Sequence, residues 1–122
     1  MILLNAPKAI GPYSQAIKYG GLVYCSGQIG MNKDGNLISE DISLQTKQVL
    51  ENIKAILVEA NSSLEKVLKV EIFLTDIKSF SLVNDIYAEY FSSNIKPARL
   101  TVEVSNLPKN ARIEISCIAA VL

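Results

Sequence analysis

The hydrophobic period of this chain changes within a dozen residues, and that change limits the folds open to it. Val49, Leu50, Ile53, Ile56, Leu57 and Ala60 recur at helical spacing, with Lys47, Glu51, Lys54 and Glu59 turned away. From Leu68 the period drops to two: Leu68, Val70, Ile72 and Leu74 alternate with Lys69 and Glu71. A one-sided helix followed directly by a one-sided strand buries its apolar stripe on a sheet. The spacing predicts a helix from about Asp41 or Ser43 to Ala60, stopped at Asn61-Ser62-Ser63, and then a strand over 68–74. Phe73 adds an apolar group to the polar side of that strand.

The remaining elements fall around this pair. A strand over 14–19 meets Gly20-Gly21, a two-residue hairpin turn, and returns as Leu22 to Gln28. Asn32 to Asn36 has strong turn chemistry. Ser79 or Ser81 can cap a second helix whose buried stripe holds Phe80, Val83, Tyr87 and Phe91. Pro97 fixes an extended lead into a strand over 98–104, Leu107 to Asn110 form a turn, and a last strand runs over 112–121. The order is ββαβαββ. We expect one α+β domain over residues 1–122, with two helices on one face of a mostly antiparallel sheet of four to six strands.

The other sheet face is expected to be mixed. Arg99, Thr101 and Glu103 stand opposite Leu100, Val102 and Val104, and Arg112, Glu114, Ser116 and Ile118 stand opposite Ile113, Ile115 and Cys117. With Phe73 added, such a face is too apolar for comfortable solvation and too charged for a monomer core. Self-association would bury it, and a homo-oligomer is expected.

Composition excludes several chemistries. Twelve basic and twelve acidic residues balance, which gives no electrostatic ground for nucleic acid or an anionic membrane as partner. No run approaches the roughly 18–20 apolar residues that span a bilayer, and Met1 to Asn5 lack the basic start of a secretory signal. A cytoplasmic location is expected, with Cys25 and Cys117 as buried thiols rather than a disulfide. The chain has no His, so His triads, His proton shuttles and His metal sites are ruled out. Neither a zinc motif nor a phosphate loop occurs, so no metal or cofactor is expected.

Chemistry is left to carboxylates, hydroxyls, thiols, lysines and two arginines, Arg99 and Arg112. Arg99 lies two residues past a proline at a strand start. It either pairs with Glu103 or another acid, or grips a ligand carboxylate in a two-pronged bond. Glu114, flanked along its strand by Arg112 and Ser116, either forms a cross-strand ion pair or holds and activates a water. Tyr13 follows the rigid Gly11-Pro12 turn, and Ser26-Gly27-Gln28 ends a strand where glycine permits close approach of a ligand. Phe80 and Asn84, one turn apart, can wall a pocket or belong to the core.

Taken in order, these segments resemble the reactive intermediate deaminase family, also called the RidA or YjgF family. The resemblance rests on Ala9 to Ala16 (AIGPYSQA), Ser26-Gly27-Gln28-Ile29, Val83-Asn84-Asp85-Ile86-Tyr87, Pro97-Ala98-Arg99, Leu107-Pro108-Lys109 and Ile113-Glu114-Ile115. It implies a fold resembling trimeric chorismate mutase, a homotrimer around a central barrel, and sites in the clefts between neighbours. It further implies hydrolysis of 2-aminoacrylate, 2-iminobutanoate and related enamines or imines to 2-keto acids and ammonium, without a cofactor. On that resemblance Arg99 clamps the substrate carboxylate and Glu114 places the attacking water. Tyr13, Ser26, Gly27, Phe80, Asn84 and Thr101 then line the cleft. The chain departs from the family pattern at Thr101, where Cys is frequent, at Leu100, where a small residue is usual, and at Ser116, where a second Glu is frequent.

Two other readings stand beside the enzyme. One is a binding or regulatory protein that senses keto acids or related small carboxylates in the same cleft. The other is ribonuclease or translation-inhibiting activity, as known for some relatives, which a neutral chain without His supports little.

Overall fold

Asp41 starts the long helix by accepting the N–H of Ser43 on its carboxylate at 2.8 Å, and Asn61, with φ 61°, ends it in the left-handed conformation. The computed structural model describes residues 9–121, so the segment read for a secretory signal, residues 1–5, lies outside them. Five strands and two α-helices follow in the expected order: β1 Ala16–Tyr19, β2 Leu22–Gln28, α1 Ile42–Glu59, β3 Val67–Leu74, α2 Phe80–Tyr90, β4 Ala98–Glu103 and β5 Ile113–Ala120. Gly20 and Gly21, with φ 59° and 80°, close the β1–β2 hairpin in a turn that suits the twist of paired strands.

The sheet order is β1-β2-β5-β3-β4. Every neighbouring pair is antiparallel except β3 and β4, which run parallel because α2 carries the chain back over the sheet between them. Both helices cover the same face. Val49, Leu50, Ile53, Ile56 and Leu57 of α1 pack on Val23, Val70, Ile72, Leu74, Ile113, Ile115 and Ala119, all with no solvent exposure. Burial on this scale contributes roughly 1.5–3 kcal/mol for each large side chain.

Cys25 and Cys117 face each other directly across β2 and β5 as free, buried thiols, as expected. The hydrogen bond that the Cys25 thiol donates to Cys117, together with burial, pushes the Cys25 pKa well up, which keeps it protonated and unreactive.

Three expectations need correction. Leu68 is exposed rather than core, because the β3–β5 register slips between Val67 and Lys69 and the bulge turns Val67 inward instead. Phe80 is only partly buried, standing at the start of α2 beyond the stripe that meets the sheet.

The third correction concerns β4, whose two faces are the reverse of the reading above. Val70, Ile72 and Leu74 pair with Arg99, Thr101 and Glu103, so these three polar residues stand on the helix side. Strand β4 lies at one edge of the sheet, where Arg99 rather than an apolar row meets α2 at Asn84 and Tyr87. Ala98, Leu100 and Val102 join Glu71, Phe73, Glu114, Ser116 and Ile118 on the helix-free face. That face is therefore more apolar than the sequence suggested, with Ile17 54%, Tyr24 43% and Val102 42% exposed.

Candidate functional site

The residues singled out from sequence gather at two separate corners of the domain. The first is built on Glu114 of β5. The β2–β5 register shifts between Cys25 and Gln28, and this bulge brings Gly27 against the Glu114 side chain. A Cβ at Gly27 would lie 2.8 Å from the Glu114 carboxyl carbon and 2.9 Å from Oε2, so only glycine leaves room for the carboxyl group where it is. The two residues share a small cleft of about 40 Å³ with Tyr13, Gln15, Gln28 and Pro108.

Burial pushes the Glu114 carboxyl above its usual range. Such a group can take a proton from water and return it. Gln28, missed in the sequence, donates its amide N–H to Gln15 Oε1 at 2.9 Å and so fixes the floor of the cleft. The Tyr13 hydroxyl accepts the Ile10 N–H at 3.3 Å, which holds the ring at the rim. Ser26 uses its hydroxyl on the Ser14 carbonyl at 2.6 Å and is not among the lining residues.

The local geometry gives a direct expectation for Gly27→Ala. The added methyl meets the end of a flexible side chain rather than backbone, and Gly27 does not need a left-handed φ. The fold should therefore adapt by moving Glu114, with Tm changing by only a few degrees. If Glu114 handles the proton of a reaction, a displacement of that kind costs about a hundredfold in turnover. Calorimetry beside an activity assay checks both halves.

The second corner is built on Arg99 at the start of β4. Its Nη1 donates to Asn84 Oδ1 at 2.7 Å, and its guanidinium carbon lies 5.5 Å from the Phe80 ring centre and 4.8 Å from that of Tyr87. Tyr87 in turn stacks on Phe91, with ring centres 4.4 Å apart. Burial pushes the Tyr87 hydroxyl up to about 12 against the opposing effect of Arg99, so the phenol stays neutral. An open groove of about 300 Å³ runs past Asn84, Tyr87, Phe91, Lys96, Pro97 and Arg99. Thr101 follows Arg99 on the same side, its hydroxyl buried and without a hydrogen-bond partner among the described residues.

Sequence reasoning placed Tyr87 in the core alone. Its spacing from Phe80 and Asn84, at i, i+4 and i+7 on one helix face, was the signal that joined it to Arg99. The alternative of a structural ion pair fails for Arg99: among the described residues the one ion pair is Lys69–Glu71 at 3.9 Å, and Glu103 accepts the Ile77 N–H instead.

The two corners do not meet within one chain. Phe73 is level with both Glu114 and Val102, so Glu114 and Arg99 are two strands and three residues apart, about 14 Å between Cα atoms. They also stand on opposite faces of the sheet. A guanidinium without an ion pair among the described residues and a carboxyl whose proton affinity burial raises are thus both present, in two separate clefts.

Residues 3–121 match the family model described as endoribonuclease L-PSP. A RutC family protein of Pyrococcus horikoshii is 55% identical over 116 residues, which span 94% of this chain and 91% of that one. The chloroplastic Reactive Intermediate Deaminase A of Arabidopsis thaliana is 47% identical over 116 residues, 94% of this chain and 62% of its own length. The crystal structure of a Rid family protein of unknown function from Yersinia pestis superposes with a TM-score of 0.93 at 57% identity, covering 96% of this chain and 94% of that one. Sequence and topology agree over nearly the whole length, and the chain belongs to the Rid family, also called YjgF or endoribonuclease L-PSP proteins.

Proposed function

We propose that this protein hydrolyses reactive enamines and imines of 2-amino acids, such as 2-aminoacrylate and 2-iminobutanoate, to 2-keto acids and ammonium. The sites are assembled between neighbouring subunits of a homotrimer. The observation that carries this reading is the separation of Arg99 and Glu114, each open and built, on opposite faces of one sheet. A second copy supplies the missing half, and its docking covers the apolar helix-free face. The Arabidopsis relative, named a reactive intermediate deaminase, supports the chemistry.

In this mechanism Arg99 pairs with the substrate carboxylate and fixes the imine carbon above Glu114 of the neighbour. Glu114 takes a proton from the attacking water, whose oxygen bonds to that carbon. That proton passes to the nitrogen to give a carbinolamine. The carbinolamine hydroxyl proton then moves by way of Glu114 to the nitrogen as the C–N bond breaks, so that the C–OH becomes the keto carbonyl and ammonia leaves, becoming ammonium in water. No cofactor takes part. A cytoplasmic location belongs to the proposal; among the described residues no helix is long and apolar enough to cross a membrane.

A dehydratase acting on serine or threonine supplies the imine, and the test is whether this protein speeds its decay. Arg99→Ala and Glu114→Ala should each be inactive alone. Unfolded and refolded together in equal amounts they should recover about a quarter of wild-type activity, because random trimers place both intact groups at one site in four. No recovery means that each site lies within one chain. Keto-acid binding without any acceleration of imine decay favours the regulatory reading.

A further inference from the structure

The row Phe80, Asn84 and Tyr87 on α2 surrounds Arg99 with groups that hold it and carry no charge. Asn84 accepts one N–H of the guanidinium, and two rings lie against it. A carboxylate at position 84 would be the commoner partner for a guanidinium, and it would use up the charge. We propose that Asn84 and Tyr87 are positioning residues: they orient Arg99 while leaving its positive charge unneutralised, so that the full charge is presented to the carboxylate of an incoming 2-imino or 2-keto acid. This rests on the functional reading above and assigns Asn84 a role through Arg99 rather than by contact with substrate.

The buried hydroxyl of Tyr87 has no hydrogen-bond partner among the described residues, so the ring, not the phenol, carries the contact. The ring is itself fixed from behind by Phe91. Lys96, the other cation of the groove, donates to the Ser93 carbonyl at 2.6 Å and leaves Arg99 as the group held for the ligand.

The test measures binding of 2-oxobutanoate by calorimetry and the order of the Arg99 side chain by Nε–H NMR relaxation. Tyr87→Leu should loosen Arg99 and weaken binding about tenfold, whereas Tyr87→Phe, which keeps the ring, should stay within about twofold of wild type. Asn84→Ala should weaken binding about fivefold. Asn84→Asp should weaken it about a hundredfold at neutral pH, by neutralising Arg99 and repelling the ligand, and should approach Asn84→Ala as pH falls through the carboxylate range. A purely structural role for position 84 would give no such pH dependence.

Asn84→Asp binding as tightly as wild type at neutral pH overturns the inference. So does Tyr87→Phe losing as much as Tyr87→Leu. A wild-type protein that binds no 2-oxobutanoate sinks the functional reading, and in that case equal order of Arg99 in wild type and Tyr87→Leu independently overturns the positioning role.

Discussion

Arg99→Ala is expected to remove substrate binding and turnover together. Two charge-assisted hydrogen bonds to a carboxylate are worth about 1.5–3 kcal/mol each, so their loss lowers kcat/KM by roughly 10²–10⁴-fold. The guanidinium is exposed and makes no ion pair among the described residues, so the fold should lose little, with Tm falling only a few degrees. Arg99→Lys keeps the charge but not the planar fork or the stacking on Phe80 and Tyr87, and should recover only part of the activity. Wild-type rates in Arg99→Ala, read in the dehydratase-coupled assay, would end the anchor role.

Glu114→Ala should behave differently, binding 2-keto acids as wild type does while losing turnover by about 10²–10⁴-fold. The pH profile follows from the same group. As the proposed base Glu114 must be ionised, and burial holds its pKa above the ordinary glutamate value, so activity should fall in acid at a higher pH than an exposed glutamate would give. The stability effect has the opposite sense to that of most carboxylates. A raised folded pKa favours the protonated form, so this contribution is fully present below the unfolded glutamate pKa and is lost as pH rises through the folded one. Glu114→Gln, a neutral mimic, should be no less stable than wild type at neutral pH and should match it in acid. Melting curves at both pH values decide this.

The architecture was legible because the helical stripe of α1 and the alternation of β3 and β5 are strong periodic signals that local chemistry agrees with. The face of β4 was not. Arg99-Leu100-Thr101-Val102-Glu103 alternates cleanly but does not say which row meets the helices, and on an edge strand the apolar row turned to the open side. Leu68 misled for a related reason, since a bulge adds one residue and flips the phase without leaving a sequence mark. At the site, Gly27 and Glu114 were each visible, but their contact depends on the β2–β5 register shift. Tyr87 was hidden by its residue type, since an aromatic on a buried stripe reads as packing until the cation beside it is seen.

Strand β5 comes after the other four in the chain, yet it occupies the centre of the sheet, between β2 and β3. While the protein is being synthesised, the β1–β2 hairpin and the β3–α2–β4 unit have no strand to join them until residues 113–120 leave the ribosome. The core beneath α1 cannot close before then, and the pairing that completes it spans most of the chain. The sheet therefore closes only once β5 is available, and the step that closes it is the one that brings Glu114 to Gly27.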